Sequence, residues 1–327
     1  MMAAILDPER PIVDPHHHLW SGDGRGPYLL DDLYADVRCG HNVVQTMFVE
    51  CRTHYRRGGP EHLRPVGQTE WVEAMARASA HGPAPAIAGI VAFADLTLGP
   101  RLEEVLDTHA EAAGGRLRGF RYSLAHGTHR AGTENAPGPA PAGLAAEEPF
   151  RDGVRLLGRR GLTYESWHFH YQMDEFIALA RSAPDTLIIL DHFGTPLGVG
   201  PWRGRRAEVF AEWKASIAEA AACPNMAAKL GGMAMFDNGF GWDERAEPVT
   251  AEEFAAAQRD YYLHAIDCFG PDRCMFESNF PVEKASVSYA VLYDAFKLMT
   301  ADFSDADKDA LFSGTARRIY RLPPVRP

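Results

Sequence analysis

Near its start the chain reads Ile12-Val13-Asp14-Pro15-His16-His17-His18-Leu19-Trp20, three consecutive imidazoles behind a short apolar run. If residues 12–14 form a strand, side chains two apart share a face, so His16 and His18 aim at one point while His17 faces elsewhere. Convergent imidazoles are a metal-ligand pattern. A third candidate is His192 in Leu190-Asp191-His192-Phe193-Gly194, where an apolar run meets a glycine turn. Three nitrogen ligands on one divalent ion, Zn²⁺ being the natural choice, leave a position for water, whose pKa then falls toward neutrality. The bland reading is a tag-like or core histidine run, but tags are longer and are not set between a core-like strand and Leu-Trp.

These residues need a scaffold, and the chain supplies a repeating one. Short β-rich runs at 12–14, 43–50, 87–94, 117–122, 162–165, 187–191, 226–230 and 273–277 alternate with longer Ala-, Leu- and Glu-rich segments. Helices are expected at 68–80, 101–113, 174–181, 207–222 and 251–269. Eight such units predict a (β/α)8 TIM barrel, somewhat irregular, formed by one domain over 1–327. A doubly wound sheet would carry a glycine-rich turn after its first strand, and Asp14 runs straight into Pro15 and His16 instead. Residues 125–149 and 231–248 interrupt the rhythm after proposed strands, so they are expected as long loops on the catalytic face.

In a barrel, polar residues at the C-terminal ends of the strands share one pocket. The eight runs end in Asp14, His16 and His18; Glu50 and Arg52; Arg121; Glu165 followed by His168 and His170; Asp191 and His192; Lys229; and Glu277, Ser278 and Asn279. Arg121 could pair bidentately with a substrate carboxylate, or with Glu50 or Glu165 inside the protein. Lys229 is a candidate of the same kind, and His170 and Glu165 are further candidates for substrate contact.

At 327 residues and 46% hydrophobic content the chain can bury a full core, and its formal charge of −11 disfavours nucleic acid and anionic membranes as partners. A small-molecule substrate is expected, with a homo-oligomer left open. Apolar runs are too short for a bilayer and residues 1–11 lack an apolar signal core, so the expected location is the cytoplasm. Five scattered cysteines without a C-x-x-C pair argue for reduced thiols.

Taken in order, Asp14-Pro15-His16-His17-His18-Leu19-Trp20, Arg118-Gly119-Phe120-Arg121, Leu190-Asp191-His192-Phe193-Gly194 and Met275-Phe276-Glu277-Ser278-Asn279-Phe280-Pro281-Val282 resemble the amidohydrolase superfamily. The chain is similar to its amidohydrolase-related branch of TIM-barrel metal-dependent hydrolases, which includes sugar lactonases and 2-pyrone-4,6-dicarboxylate lactonase. The resemblance covers nearly the whole chain and implies His16, His18 and His192 around the reactive centre, with an aspartate from the eighth strand. Here the chain departs: the family pattern Gly-Ser-Asp-Trp-Pro is replaced by Glu277-Ser278-Asn279-Phe280-Pro281, so an amide stands where the base is expected. An amide cannot accept the proton of an attacking water. Glu277, Glu50 or Glu165 must then act, or catalysis is metal-free or lost. No lysine ends the fourth strand to bridge two ions, so zero or one metal is expected.

The resulting expectation is a hydrolase acting on a lactone or related carbonyl of a small acidic substrate. His16, His18, His192, Asn279, Glu50 and Glu277 are its candidate catalytic residues. The alternatives are a non-oxidative decarboxylase of the same superfamily and an inactive binding relative.

Overall fold

The computed structural model describes residues 5–22, 26–82, 84–127 and 140–325. Among them, eight parallel strands lie in sequence order around a nearly closed barrel: β1 (Ile12–His17), β2 (Val43–Val49), β3 (Ala86–Ala92), β4 (Leu117–Arg121), β5 (Thr163–Ser166), β6 (Ile188–Leu190), β7 (Met226–Leu230) and β8 (Cys274–Phe276). Beyond β8 the chain continues alongside β1, with Asn279 N–H donating to the His16 carbonyl at 2.9 Å and His18 N–H to the Phe280 carbonyl at 2.8 Å. These bonds bring the first and last strands together.

Around the barrel lie α1 (Leu30–Val37), α2 (Val66–Ser79), α3 (Arg101–Ala112), α4 (Glu148–Arg159), α5 (Met173–Ser182), α6 (Arg206–Ala221), α7 (Ala251–Phe269) and α8 (Tyr289–Met299). The α7 helix falls where the sequence places it because both ends are chemically marked. Thr250 Oγ1 accepts from Glu253 N–H at its start, and Gly270, at φ 79°, ends it. The first, fourth and eighth helices are not among those expected from the sequence: α1 is short, and α4 begins at the edge of the expected 125–149 loop, whose residues 128–139 lie outside the described ones.

Apolar residues form two layers. Those facing outward from the strands pack under the helices, whereas Val13, Met47, Val49, Ala88, Val91, Ile189, Ala227 and Met275 fill the barrel interior. From below, Ala316, Ile319, Tyr320 and Leu322 of the C-terminal segment pack on this inner layer. It forms an apolar floor. One ring crosses it: the fully buried Tyr320 donates its hydroxyl to Glu165 Oε1 at 2.6 Å, tying the floor to the polar layer above.

Replacing that hydroxyl alone tests the tie. Tyr320→Phe keeps the ring but leaves a buried carboxylate oxygen without its donor, and urea unfolding is expected to show a loss of about 1–3 kcal/mol.

Candidate active site

The histidine triplet is aimed by an irregularity in β1. Val13 faces the barrel interior, so uninterrupted alternation would send His17 inward and His16 outward. A shift in register between Asp14 and His17 reverses this. His16 and His18 therefore turn into the barrel, while His17 packs beside Phe48 and contacts Thr46 Oγ1 at 3.1 Å. Asp14 leaves the centre altogether. Its carboxylate accepts from the N–H groups of His16 and Ser278, the Ser278 hydroxyl and Tyr289 Oη, and burial still pushes its pKa up to about 6.

Inside the barrel, Glu277 spans two rings, with Oε2 2.6 Å from His16 Nδ1 and Oε1 2.6 Å from His192 Nδ1. The His192 contact is a hydrogen bond in which the ring donates, because a carboxylate oxygen accepts, whereas the His16 contact lacks hydrogen-bond geometry and the hydrogen-bond neighbour of His16 Nδ1 is Lys229 Nζ at 3.5 Å. His18 Nδ1 lies 2.8 Å from the Val49 carbonyl, which likewise can only accept. These partners place the proton of His18 and of His192 on Nδ1, and His16 Nε2 faces Arg121 Nη1, which can only donate, at 3.2 Å. The Nε2 atoms of His16 and His18 then face each other at 3.3 Å. Burial, and then the cations nearby, hold the pKa values of both rings well below the ordinary histidine value, so both are neutral.

Buried charges surround the rings. Arg121 donates Nε–H to Glu50 Oε1 at 3.0 Å and Nη2–H to the Glu50 carbonyl, leaving Nη1 3.2 Å from His16 Nε2 and 3.6 Å from Asp191 Oδ2. Lys229 Nζ sits 2.5 Å from Glu165 Oε2, 3.6 Å from Asp191 Oδ1 and 3.5 Å from His16 Nδ1. Burial pulls this ammonium down, but Glu165, Asp191 and Glu277 more than offset it and hold its pKa above the ordinary lysine value. Most of the donor capacity of Arg121, and the charge of Lys229, is thus already met within the protein, which for Arg121 is the pairing with Glu50 that the sequence left open beside a substrate carboxylate.

Asp191 is a strand-end residue to which the sequence assigned no role. It is fully buried, both its oxygens lack a hydrogen-bond partner among the described residues, and with His16 and His192 it forms a group whose candidate ligand atoms lie within 4.8 Å of one another. The signal was its position: two residues beyond the inward-facing Ile189, it shares that face.

His170 lies farther out among Trp167, Phe169, Leu197 and Trp202, its Nδ1 accepting from Leu197 N–H at 3.3 Å. His168 leaves the pocket and packs on Phe176 of α5. Asn279 is buried, with Nδ2 lacking a partner.

Two glycines make room for the rings. A Cβ on Gly231 would stand 2.4 Å from Glu277 Cγ, and one on Gly232, at φ +73°, 2.5 Å from the His192 ring. Six of the eight non-glycine residues with positive φ among the described ones, Arg52, His54, His192, Phe193, Thr195 and Asn279, follow β2, β6 or β8. Such conformations cluster at functional sites.

The donor set suits a divalent cation. His18 and His192 hold Nδ1–H against protein acceptors, the arrangement that orients metal-binding histidines. Arg121 and Lys229 stand against four buried carboxylates, Glu50, Glu165, Asp191 and Glu277, an excess of two formal negative charges.

A parallel barrel whose strand ends gather imidazoles over buried carboxylates has the architecture of a barrel hydrolase. The amidohydrolase family model (Amidohydro_2) matches residues 13–322, and the chain belongs to that family of enzymes. It is 33% identical over 333 residues to the uncharacterized protein y4mH of Sinorhizobium fredii, covering 95% of this chain and 98% of that one. It is 29% identical over 330 residues to L-fucono-1,5-lactonase of Burkholderia multivorans, covering 95% and 96%. A crystal structure of an amidohydrolase from Burkholderia multivorans with bound zinc superimposes with a TM-score of 0.72 at 25% identity, covering 95% and 99%.

Beside the centre, Glu283 is fully buried; its Oε1 accepts from Ala234 N–H at 2.8 Å, and burial pushes its pKa up to about 8. A carboxyl raised on folding contributes stability that is full below the ordinary glutamate value and is lost as pH rises through the folded value. Urea unfolding at pH 5 and pH 8 is therefore expected to show Glu283→Gln gaining stability relative to the unsubstituted chain as pH rises.

Proposed function

We propose that the protein opens a lactone, or hydrolyses a related carbonyl, of a small substrate, with one divalent ion held by His16, His18 and His192 beside Asp191. The observation that carries this reading is the convergence of three imidazoles, with the rings of His18 and His192 centred 4.9 and 4.6 Å from that of His16, and with Nδ1 of His18 and His192 held by the Val49 carbonyl and Glu277. The lactonase relative supports the reaction class, and the zinc in the related amidohydrolase supports the ion. When bound, such an ion lowers the pKa of water and polarises a carbonyl.

The protein groups divide the remaining work. Arg121 Nη1–H points toward the centre and can donate to the carbonyl oxygen as negative charge develops there. Glu277 is engaged by two imidazoles, Glu50 by Arg121 and Glu165 by Lys229 and Tyr320, so Asp191 is the carboxylate available as base. Its oxygen takes a proton from the attacking water while the new C–O bond forms. The ring C–O bond then breaks, and the same proton passes to the departing alkoxide, giving a hydroxy acid. Asn279 can orient water or substrate through its unpartnered Nδ2–H but takes no proton.

Metal analysis of tagless protein and a lactone screen that follows acid release test this reading. His16→Ala and His192→Ala are expected to lose the ion and at least about 100-fold in kcat/KM, and Glu277→Gln to bind the ion about 10- to 100-fold more weakly. Asp191→Asn is expected to retain near-normal metal content while losing about 100-fold in kcat. Undiminished turnover in His16→Ala and His192→Ala would sink the proposal, and release of carbon dioxide without water consumption would assign a decarboxylase instead.

A further inference from the structure

The pairing of Arg121 with Glu50 leaves a question of charge at the barrel mouth, and Arg52 answers it. Arg52 follows β2 with φ 58°, is half-buried, and holds its Cζ 4.8 Å from the centre of the Phe93 ring. Among the described residues it has no hydrogen-bond or ion-pair partner, and its Nε is buried without one. Tyr55 stacks on the same Phe93 ring at 6.3 Å and 22°, with its buried hydroxyl also unpartnered. Phe93 in turn meets Tyr122, the residue after Arg121, at 5.4 Å. The ends of β2, β3 and β4 therefore present a guanidinium, a phenol and two aromatic walls beside the Arg121–Glu50 pair.

We propose that Arg52 and Tyr55 form a receptor for a carboxylate carried by the substrate. Phe93 covers one flat face of the guanidinium, so an anion must approach along the N–H edge, where a carboxylate binds bidentately. Half-burial reduces the screening that would weaken such a pair on an open surface. The Tyr55 hydroxyl supplies a third donor. Among the described residues Arg52 has neither a carboxylate nor a carbonyl partner, unlike Arg121, Lys229 and Arg118, and its buried Nε is left for a ligand. The inference rests on the lactone-hydrolase reading and adds the substrate class: an acidic lactone with its carboxylate held toward β2 to β4 and its reacting carbonyl over the histidines.

The test compares a lactone bearing a free carboxylate with the same lactone bearing a hydroxymethyl group, in the holoenzyme and in Arg52→Gln, Arg52→Lys and Tyr55→Phe, with folding checked by circular dichroism. The parent enzyme is expected to favour the carboxylated lactone. Arg52→Gln should lower the ratio of the two kcat/KM values about 10- to 100-fold, through KM, with Arg52→Lys recovering part of it and Tyr55→Phe giving a smaller fall. Equal losses on both lactones, an unchanged ratio, or a parent preference for the hydroxymethyl compound overturn the receptor. If the parent enzyme hydrolyses neither lactone, the hydrolase reading fails and calorimetry with glutarate decides the receptor separately. Binding at least 10-fold weaker in Arg52→Gln supports it. Equal affinity, or no binding to the parent protein, overturns it.

Discussion

The carboxylate of Glu277, shared between His16 and His192, is the contact on which the rest of the site depends. It joins β8 to β1 and to the end of β6 through one side chain, so three separate strands are held in a common geometry. By accepting the Nδ1–H of His192 it also decides which face of that ring remains available. The surrounding chain is shaped to admit it. Gly231 and Gly232 stand where any Cβ would collide with Glu277 or His192, and the register shift in β1 turns His16 inward to meet it.

The same layer concentrates charge where water is excluded, which is costly unless each group has a partner. Arg121 with Glu50 and Lys229 with Glu165 supply most of that pairing, and the Tyr320 hydroxyl completes Glu165 from below. Several buried polar atoms nevertheless lack a hydrogen-bond partner among the described residues, Glu50 Oε2 and Glu277 Oε2 included. Among the described residues, both Asp191 oxygens, the Asn279 amide nitrogen and the outer edge of Arg52 lack protein hydrogen-bond partners, and all lie at the ends of strands. Pairing below and vacancy of partners above separate a structural layer from a chemical one. The apolar floor beneath both keeps the lower pairs dry.

Much of this was legible in the chain. All eight strands lie where apolar β-rich runs stand between turn signals, and α7 was bounded by its own capping residues. His16, His18 and His192 were legible as one group because parity in a strand and a glycine turn are local signals. Asn279 in place of an aspartate was equally plain. Arg121 and Lys229 were harder: a cation at a strand end reads as a substrate contact until the carboxylate across the barrel is known, and Glu50 lies 71 residues from Arg121, Glu165 64 from Lys229. Asp191 was hidden beside a more eye-catching histidine.

By itself, then, the sequence determined the alternation of strands and helices, the family, and which residue types crowd the strand ends, because these depend on local periodicity and short motifs. Tertiary structure alone decided which carboxylate meets which cation, which imidazole nitrogen is left open, and that Arg52 stands without an ion partner among the described residues. Those outcomes depend on register and on the angular position of strands around a closing barrel. A single-residue shift in β1 exchanges the inward and outward faces, and no local pattern in Pro15-His16-His17-His18 specifies on which side of that shift the histidines fall.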